Sequence, residues 1–297
     1  MDKRLNVALA QHEMSADDQD NLQTSLSLIT QAAASDAQVV VLPELHRHPY
    51  FCKSQTEAFF KLAEPLKGPT YDALSLAARQ HQMVIVGSIF ERRQAGMASN
   101  TAIVVDADGS LAGIYRKMHI PDDPGYNEKY YFAPGDGGFR PIDTSVGLLG
   151  VLVCWDQWFP EAARLMALAG AELLVYPTAI GWDPKDASEE QQRQLNAWQV
   201  MHQAHAIANG LPVVACNRIG FEDDPVGDHP AQFWGHSLIL GPQGEALTAT
   251  LGTDAGVMQA TLDLERTTTI RQQWPFLRDR RVDAYQGLTE RCLDDPT

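Results

Sequence analysis

The chain has 297 residues, of which 44% are hydrophobic and 21% are charged. This length can bury a large core in one domain or two modest ones, and the composition is that of a folded globular protein. The formal net charge of -15 argues against nucleic acid and anionic membranes as partners, because their phosphate groups would be repelled. A cationic small-molecule substrate is compatible with this charge, although solubility alone explains it equally well.

The four cysteines form no C-x-x-C pair, so neither a zinc knuckle nor a thioredoxin-type site is predicted; they are Cys52, Cys154, Cys216 and Cys292. The chain opens with MDKRLNVALAQ, which lacks the apolar stretch and the small-residue cleavage site of a signal peptide. No apolar run approaches the roughly 20 residues that a membrane helix requires. We therefore expect a cytoplasmic protein with reduced thiols and no membrane association.

Short apolar runs rich in Val and Ile predict buried strands, and between some of them apolar residues recur at helical spacing. The predicted strands are Leu5–Ala10, Val39–Leu42, Met83–Phe90, Thr101–Val105, Val146–Val153, Leu173–Tyr176, Pro212–Asn217 and Ser237–Leu240. The predicted helices are Asn21–Ala34, Pro69–Gln82, Pro160–Ala169 and Glu190–Asn209, the last ending at Gly210. Strands that alternate with helices indicate an α/β fold.

Two turn sequences, Asp106–Gly109 and Gly241–Gly244, each separate two β-like runs and predict tight hairpins. Hairpins join antiparallel strands, so the sheets should be mixed and not purely parallel. We expect one domain over residues 1–297. Its polar, Arg-rich end, from about 266 to 297, carries the aromatic segment Trp274–Leu277 and predicts either an arm packed on a surface or a plain tail.

Other candidate sites are weak. The segment 106–110 is similar to the start of a calcium loop, but the twelfth position is Lys117 where that loop needs a glutamate. Two close histidine pairs lack both an H-E-x-x-H frame and neighbouring cysteines; they are His46 with His48 and His202 with His205. We therefore expect no metal site.

Three residues with chemical potential each follow a predicted strand. Cys154 ends the strand 146–153 shortly before the helix at Pro160, a position where a thiol can have a lowered pKa and act as a nucleophile. Glu44 follows the strand 39–42 and could serve as its base. Lys117 closes the β-like run 111–116 and could stabilise an oxyanion. Taken singly, a buried inert cysteine, a surface glutamate and a solvated lysine are the alternatives.

The residues around these positions resemble a known family. V-L-P-E-L at Glu44, Y-R-K-M-H-I-P at Lys117 and V-C-W-D at Cys154 are similar, in order and spacing, to the motifs of the nitrilase superfamily of carbon–nitrogen hydrolases. The resemblance spans about residues 5 to 285 and implies a second glutamate at Glu128, in Y-N-E-K-Y-Y-F. It also implies an α-β-β-α sandwich with two mixed sheets, assembly into a homodimer or larger homo-oligomer, and neither metal nor organic cofactor.

Further segments resemble the members of this family that act on N-carbamoyl amines, among them C-W-D-Q-W-F-P-E-A-A-R and Y-P-T-A-I-G. This resemblance implies hydrolysis of N-carbamoylputrescine to putrescine, carbon dioxide and ammonia through a thioester on the cysteine. The distal ammonium of that substrate needs an acidic or aromatic partner in the site. The candidates for substrate binding are Trp155, Tyr50, Tyr126, Asp122 and Asp156, with Asp123 and Asp183 as further acids.

Alternative functions remain open at this point. The same machinery could serve another N-carbamoyl amine or N-carbamoyl amino acid hydrolase, such as a β-ureidopropionase-like enzyme, or an aliphatic amidase. A carboxylate-bearing substrate should require a dedicated arginine, for which Arg47 and Arg218 are weak candidates. A non-catalytic binding protein on the same fold is the remote alternative.

Overall fold

The computed structural model describes residues 4–224 and 226–294. The first half of the chain, together with one strand from its far end, forms a six-stranded sheet with two helices. The strands lie in the order β14-β1-β2-β3-β4-β5, with β1, β2 and β3 parallel and the remaining pairs antiparallel. The elements are β1 (Arg4–Gln11), α1 (Asp18–Ala34), β2 (Val39–Val41), α2 (Pro69–His81), β3 (Val84–Gln94), β4 (Met97–Val105), β5 (Leu111–Arg116) and, from the far end of the chain, β14 (Gly256–Asp263).

The second half forms a five-stranded sheet in the order β13-β10-β8-β7-β6, with β7, β8 and β10 parallel, and a small sheet in the order β11-β12-β9. Two helices cover the larger sheet and a fifth follows β14. These elements are β6 (Ile142–Thr144), β7 (Gly147–Val151), α3 (Pro160–Leu168), β8 (Leu173–Thr178), β9 (Gly181–Trp182), α4 (Ser188–Asn209), β10 (Val213–Asn217), β11 (Ile219–Glu222), β12 (Ala231–Trp234), β13 (Leu238–Leu240) and α5 (Leu264–Gln273).

The two larger sheets pack face to face. In β1, Leu5, Val7 and Leu9 join the apolar cluster shared with the second sheet, whereas Ala8 and Ala10 join the cluster under α1 and α2. Successive residues of a strand point to opposite faces, so the inner strands of this layer are buried on both sides. The result is an α-β-β-α sandwich with two mixed sheets, which confirms the predicted fold class.

Local chemistry sets the helix ends. The Asp17 carboxylate accepts hydrogen bonds from the Gln19 and Asp20 backbone N–H groups and caps α1. Helix α3 begins with Pro160, and α4 ends where Gly210 takes a left-handed conformation at φ 56°. The four predicted helices are confirmed: one end of each helix coincides with the prediction and the other differs by one to three residues.

Several strands were not predicted. β14 pairs antiparallel with β1 over eight residues, yet its half-exposed sequence GVMQATLD gives no continuous apolar run. The hairpin at 106–109 is confirmed between β4 and β5. After the turn at 241–244, the described chain forms only a single bridge, between Leu240 and Ala246. The second strand expected there is therefore absent from the described chain.

The predicted arm from residue 266 starts inside α5, which begins at Leu264. Its first part packs on the chain itself, since Arg271 Nε donates to the Asn209 backbone oxygen at 3.0 Å. Trp274 and Phe276 are about half exposed. Residues 295–297 of the arm lie outside the described residues, and one domain over the whole chain stays a prediction. No helix within the described ranges is long and apolar enough to cross a membrane.

The sheet-to-sheet core predicts a contrast between two leucines. Leu9 is fully buried between the sheets and Leu76 on α2 is 65% exposed. We expect Leu9→Ala to lower the free energy of unfolding by about 2–5 kcal/mol, because it leaves a cavity that the sandwich cannot close. Leu76→Ala should change it by less than about 0.5 kcal/mol. Urea unfolding measures both; equal effects would contradict the layer assignment.

Candidate active site

The ends of three strands bring together the acid, the lysine and the cysteine singled out above. Glu44 follows β2 and Lys117 directly follows β5, at the same edge of the first sheet. Cys154 follows β7 of the second sheet and begins a short 3₁₀ turn, Cys154–Trp158. Because the sheets are stacked, their strand ends converge on one site, as in other α/β proteins whose sites lie beyond the carboxyl ends of strands.

Lys117 is the centre of this site. Its ammonium Nζ lies 2.9 Å from Oε1 of Glu44 and 2.9 and 2.8 Å from the two carboxylate oxygens of Glu128. All three side chains are fully buried. The structure thus joins the two predicted glutamates through the predicted lysine, in a region where an unpaired charge would be costly.

The charges of this cluster shift one another's pKa. Burial opposes the charge of Lys117, but the carboxylates of Glu128 and Glu44 outweigh burial and raise its pKa well above the usual value. Burial raises the pKa of Glu128 to about 7, with Lys117 opposing the shift and Glu44 adding to it. Lys117 therefore stays an ammonium at neutral pH.

Polar residues of the first sheet orient Glu44. Asn100 Nδ2 donates to Glu44 Oε1 at 2.6 Å, and the Ser88 hydroxyl donates to Asn100 Oδ1 at 3.1 Å. Glu44 Oε1 thus accepts hydrogen bonds from both Asn100 and Lys117, whereas the buried Oε2 has no hydrogen-bond partner among the described residues. One carboxylate oxygen is fixed and the other is left to accept a proton.

Cys154 has a left-handed backbone conformation, with φ 42°. Its Sγ lies 3.7 Å from the Ala179 backbone oxygen and the residue is 3% exposed. Burial and the charge of Glu44 raise the pKa of this thiol well above its ordinary value, although Lys117 opposes them. The expected lowering of the thiol pKa is therefore wrong for the free protein: burial dominates, and the helix that follows begins only at Pro160.

A cavity of about 460 Å³ opens onto Cys154. Its walls are largely apolar and aromatic, with three aspartates among the lining residues, and include two residues of the predicted set, Trp155 and Tyr126. The other described residues that line it are Pro121, Asp123, Pro124, Trp158, Ile180, Gly181, Asp183, Asp186, Gln194, Ala197 and Trp234. Three carboxylates and several aromatic rings suit a cationic ligand.

Three predicted substrate-binding residues are placed elsewhere. Asp156 is fully buried and does not line the cavity, since its carboxylate accepts hydrogen bonds from Tyr115, His119 and Val153. Asp122 is exposed and also lies outside the cavity lining. Tyr50 lies behind the site, where its hydroxyl donates to Glu128 Oε1 at 2.7 Å. These three assignments are corrected accordingly.

Arg218 has a role that the sequence did not reveal. Its guanidinium donates to the backbone oxygens of Glu44, Leu45 and His48 at 2.6, 3.1 and 3.1 Å, and to Glu222 Oε1 at 2.8 Å. It thereby holds the loop that presents Glu44 and is not available for a substrate carboxylate. The buried run N-R-I-G was the only signal, because an arginine in such a run must find partners.

No group of three or more His, Cys, Asp or Glu side chains in the described ranges is arranged to hold a metal ion. The charged groups that act on the Cys154 thiol are instead Glu44, Lys117 and Glu128. This donor set can move a proton and stabilise a negative oxygen beside a thiol, which is the chemistry of acyl transfer.

The fold and the order of these residues are those of the nitrilase superfamily, and comparison with known proteins agrees. The profile of the family "Carbon-nitrogen hydrolase" matches residues 6–272. The chain therefore belongs to the carbon–nitrogen hydrolase family and is an amidohydrolase, which confirms the predicted family and enzyme class.

Individual relatives are similar over nearly the whole chain. An N-carbamoylputrescine amidase of Arabidopsis thaliana is 43% identical over 95% of this chain and 94% of its own length. A citrullinase of Francisella tularensis is 40% identical over 97% of this chain and 99% of its own. The crystal structure of a carbon–nitrogen hydrolase from Helicobacter pylori G27 superimposes with a TM-score of 0.94 at 46% identity, covering 97% of this chain and 99% of that one.

The raised thiol pKa gives a testable titration. Iodoacetamide should label Cys154 slowly at about pH 7, with a rate that keeps rising through about pH 9, because only the thiolate reacts. Glu44→Gln removes a negative charge that disfavours the thiolate, so its profile should move to lower pH. Mass spectrometry of the labelled peptides gives the rates, with exposed Cys292 as internal reference. Identical profiles for wild type and variant would refute the electrostatic coupling.

Proposed function

We propose that this enzyme hydrolyses N-carbamoylputrescine to putrescine, carbon dioxide and ammonia, with Cys154 as nucleophile. The observation that carries the proposal is the buried Glu44–Lys117–Glu128 cluster beside a thiol that opens into an acidic, aromatic cavity. The relative from Arabidopsis thaliana that bears this activity in its name supports the choice of substrate.

In the first half of the reaction, the Cys154 sulfur attacks the ureido carbonyl carbon. Its proton passes to Glu44, whose Oε2 has no other partner. The oxyanion is held by the Lys117 ammonium and the backbone N–H of Trp155, and one such donor is worth about 3–4 kcal/mol in the transition state. The carbon–nitrogen bond then breaks, Glu44 protonates the departing nitrogen, and a carbamoyl-type thioester remains.

In the second half, water attacks the thioester while Glu44 takes one of its protons. The carbon–oxygen bond forms, the carbon–sulfur bond breaks, and the proton returns to the sulfur. The carbamic acid released at this point loses carbon dioxide. Both orders of nitrogen departure give the same products.

Glu128 supports this chemistry through Lys117. Its two oxygens hold the ammonium, and Tyr50 donates to one of them, so the ammonium keeps its place as charge develops on the substrate. A preorganised cation costs no reorganisation during the reaction. Glu128 is thus proposed as a positioning residue and not as the base.

The cavity favours an ammonium at the far end of the substrate. Asp123, Asp183 and Asp186 line it together with Tyr126 and Trp155, and no Arg or Lys side chain is among the described residues that do. A substrate that carries a carboxylate, such as citrulline or N-carbamoyl-β-alanine, would meet no fixed counter-charge there. This contrast supports N-carbamoylputrescine over the substrate named for the citrullinase relative.

We also propose that the enzyme works in the cytoplasm as a homodimer or larger homo-oligomer. Free Cys154, and free thiols at the other three cysteines, suit a reducing compartment. Exposed Leu165 and Leu168 on α3, with Val200 and Ile207 on the neighbouring α4, give these two helices an apolar outer face. A second copy of the chain would bury this face.

Ammonia release from a set of ureides tests the substrate. We expect the highest kcat/KM for N-carbamoylputrescine, at least about tenfold above N-butylurea, which has the same chain without the ammonium. N-Carbamoyl-β-alanine and citrulline should be slower still. Cys154→Ala should release no ammonia above background from any of them.

The outcomes separate the alternatives. Preference for either carboxylate substrate would overturn the proposed substrate but keep the mechanism. Equal ammonia release by wild type and Cys154→Ala would overturn the mechanism itself.

Assembly has its own test. Light scattering at micromolar concentration should give a mass of at least twice the monomer for wild type. Leu165→Glu should lower that mass, because it introduces a charge into the apolar face formed by α3 and α4. Leu76→Glu places the same charge on exposed α2 and should leave the mass unchanged. A monomeric wild type would remove the proposed assembly.

A further inference from the structure

Asp156 does not line the cavity but connects two segments of the active site. Its Oδ2 accepts hydrogen bonds from the Val153 backbone N–H and the Tyr115 hydroxyl, both at 2.9 Å. Its Oδ1 accepts from the His119 backbone N–H at 3.0 Å and from His119 Nδ1 at 2.7 Å. Four donors on one fully buried carboxylate make it a fixed junction.

On one side of this junction is the turn that carries the thiol. The Asp156 backbone N–H donates to the Val153 oxygen at 3.0 Å, while the Asp156 side chain accepts from the Val153 N–H. These reciprocal hydrogen bonds enclose Cys154 between Val153 and Asp156. The φ of Cys154 is 42°, which lies in the left-handed region. A residue with a side chain occupies this region only when its surroundings impose it.

On the other side is the end of the strand that carries the ammonium. Tyr115 lies in β5 and His119 follows Lys117 by two residues. The His119 ring stacks on Phe159, at the end of the thiol's own turn, with centroids 3.7 Å apart and 5° between the planes. Hydrogen bonds and stacking therefore tie the same two segments together.

We propose that Asp156 and His119 are positioning residues that set the place of the Cys154 sulfur relative to Lys117. The inference rests on the proposed function, because it assigns Cys154 and Lys117 to the reaction. Neither Asp156 nor His119 lines the cavity, so their effect should fall on the chemical step and not on substrate binding.

The test compares three variants of the full-length enzyme. Asp156→Asn keeps the shape of the side chain but replaces an acceptor by an NH₂ group that faces donors. His119→Gln removes the ring stack and leaves the backbone bond to Asp156. Asp254→Asn makes the same chemical change as the first variant at an exposed position and is the control.

Turnover of N-carbamoylputrescine is measured per reactive thiol, counted by stoichiometric iodoacetamide labelling of Cys154. We expect Asp156→Asn to lower kcat about 10- to 100-fold, since small displacements of reacting groups have effects of this size, with KM changed less than about threefold. His119→Gln should give a smaller loss of kcat, and Asp254→Asn none. The pH profile of Cys154 labelling should shift in Asp156→Asn but not in the control, because the distances from the sulfur to Lys117 and Glu44 change.

A merely structural role for Asp156 would lower the number of reactive thiols and the melting temperature while leaving kcat per thiol and the labelling profile at wild-type values. That result would overturn the inference. If wild type itself does not hydrolyse N-carbamoylputrescine, the proposed substrate fails, and the labelling profile still decides the positioning role.

Discussion

A single buried ammonium between two buried carboxylates governs the architecture of this enzyme. Lys117 contacts Glu44 and Glu128 at hydrogen-bond distance with no exposed surface on any of the three side chains. Charges that are buried away from water need fixed partners, so neighbouring groups must hold each of the three side chains in place. Asn100 orients Glu44 and Tyr50 orients Glu128. Burial, together with the negative charge of Glu44, raises the pKa of the neighbouring Cys154 thiol and keeps it protonated until a base acts on it, although Lys117 opposes this shift.

The sandwich makes such a cluster possible because two sheets end at one place. The three proposed catalytic residues, Glu44, Lys117 and Cys154, each follow a different strand. Arg218 adds a connection across the molecule, from the end of β10 to the loop after β2, by donating to the Glu44, Leu45 and His48 backbone oxygens. Removing that guanidinium would take away the donor of the Glu44 and His48 backbone oxygens, so the loop geometry depends on a residue about 170 positions away.

The sequence located Glu44, Lys117 and Cys154 because each ends an apolar run and stands in a motif of known order. It could not give the direction of the thiol pKa, since that depends on burial and on charges from distant segments. Asp156 was misassigned because nearness to Cys154 in the chain does not tell whether a carboxylate faces the cavity or the strand behind it. Strand β14 was not predicted for a related reason. Its pairing with β1, and not its own composition, makes it a strand.

Two of the three acids that line the cavity lie on a different part of the chain from the proposed catalytic residues. Asp183 and Asp186 belong to the short loop between β9 and α4, whereas Glu44 and Lys117 follow strands of the first sheet and Glu128 lies in a short 3₁₀ turn. Changes in that loop can therefore alter which ureide is accepted without disturbing bond cleavage. Divergence among relatives that share the fold but carry different substrate names is a natural outcome of this division, and the same loop is where an engineer would begin to retarget the catalyst.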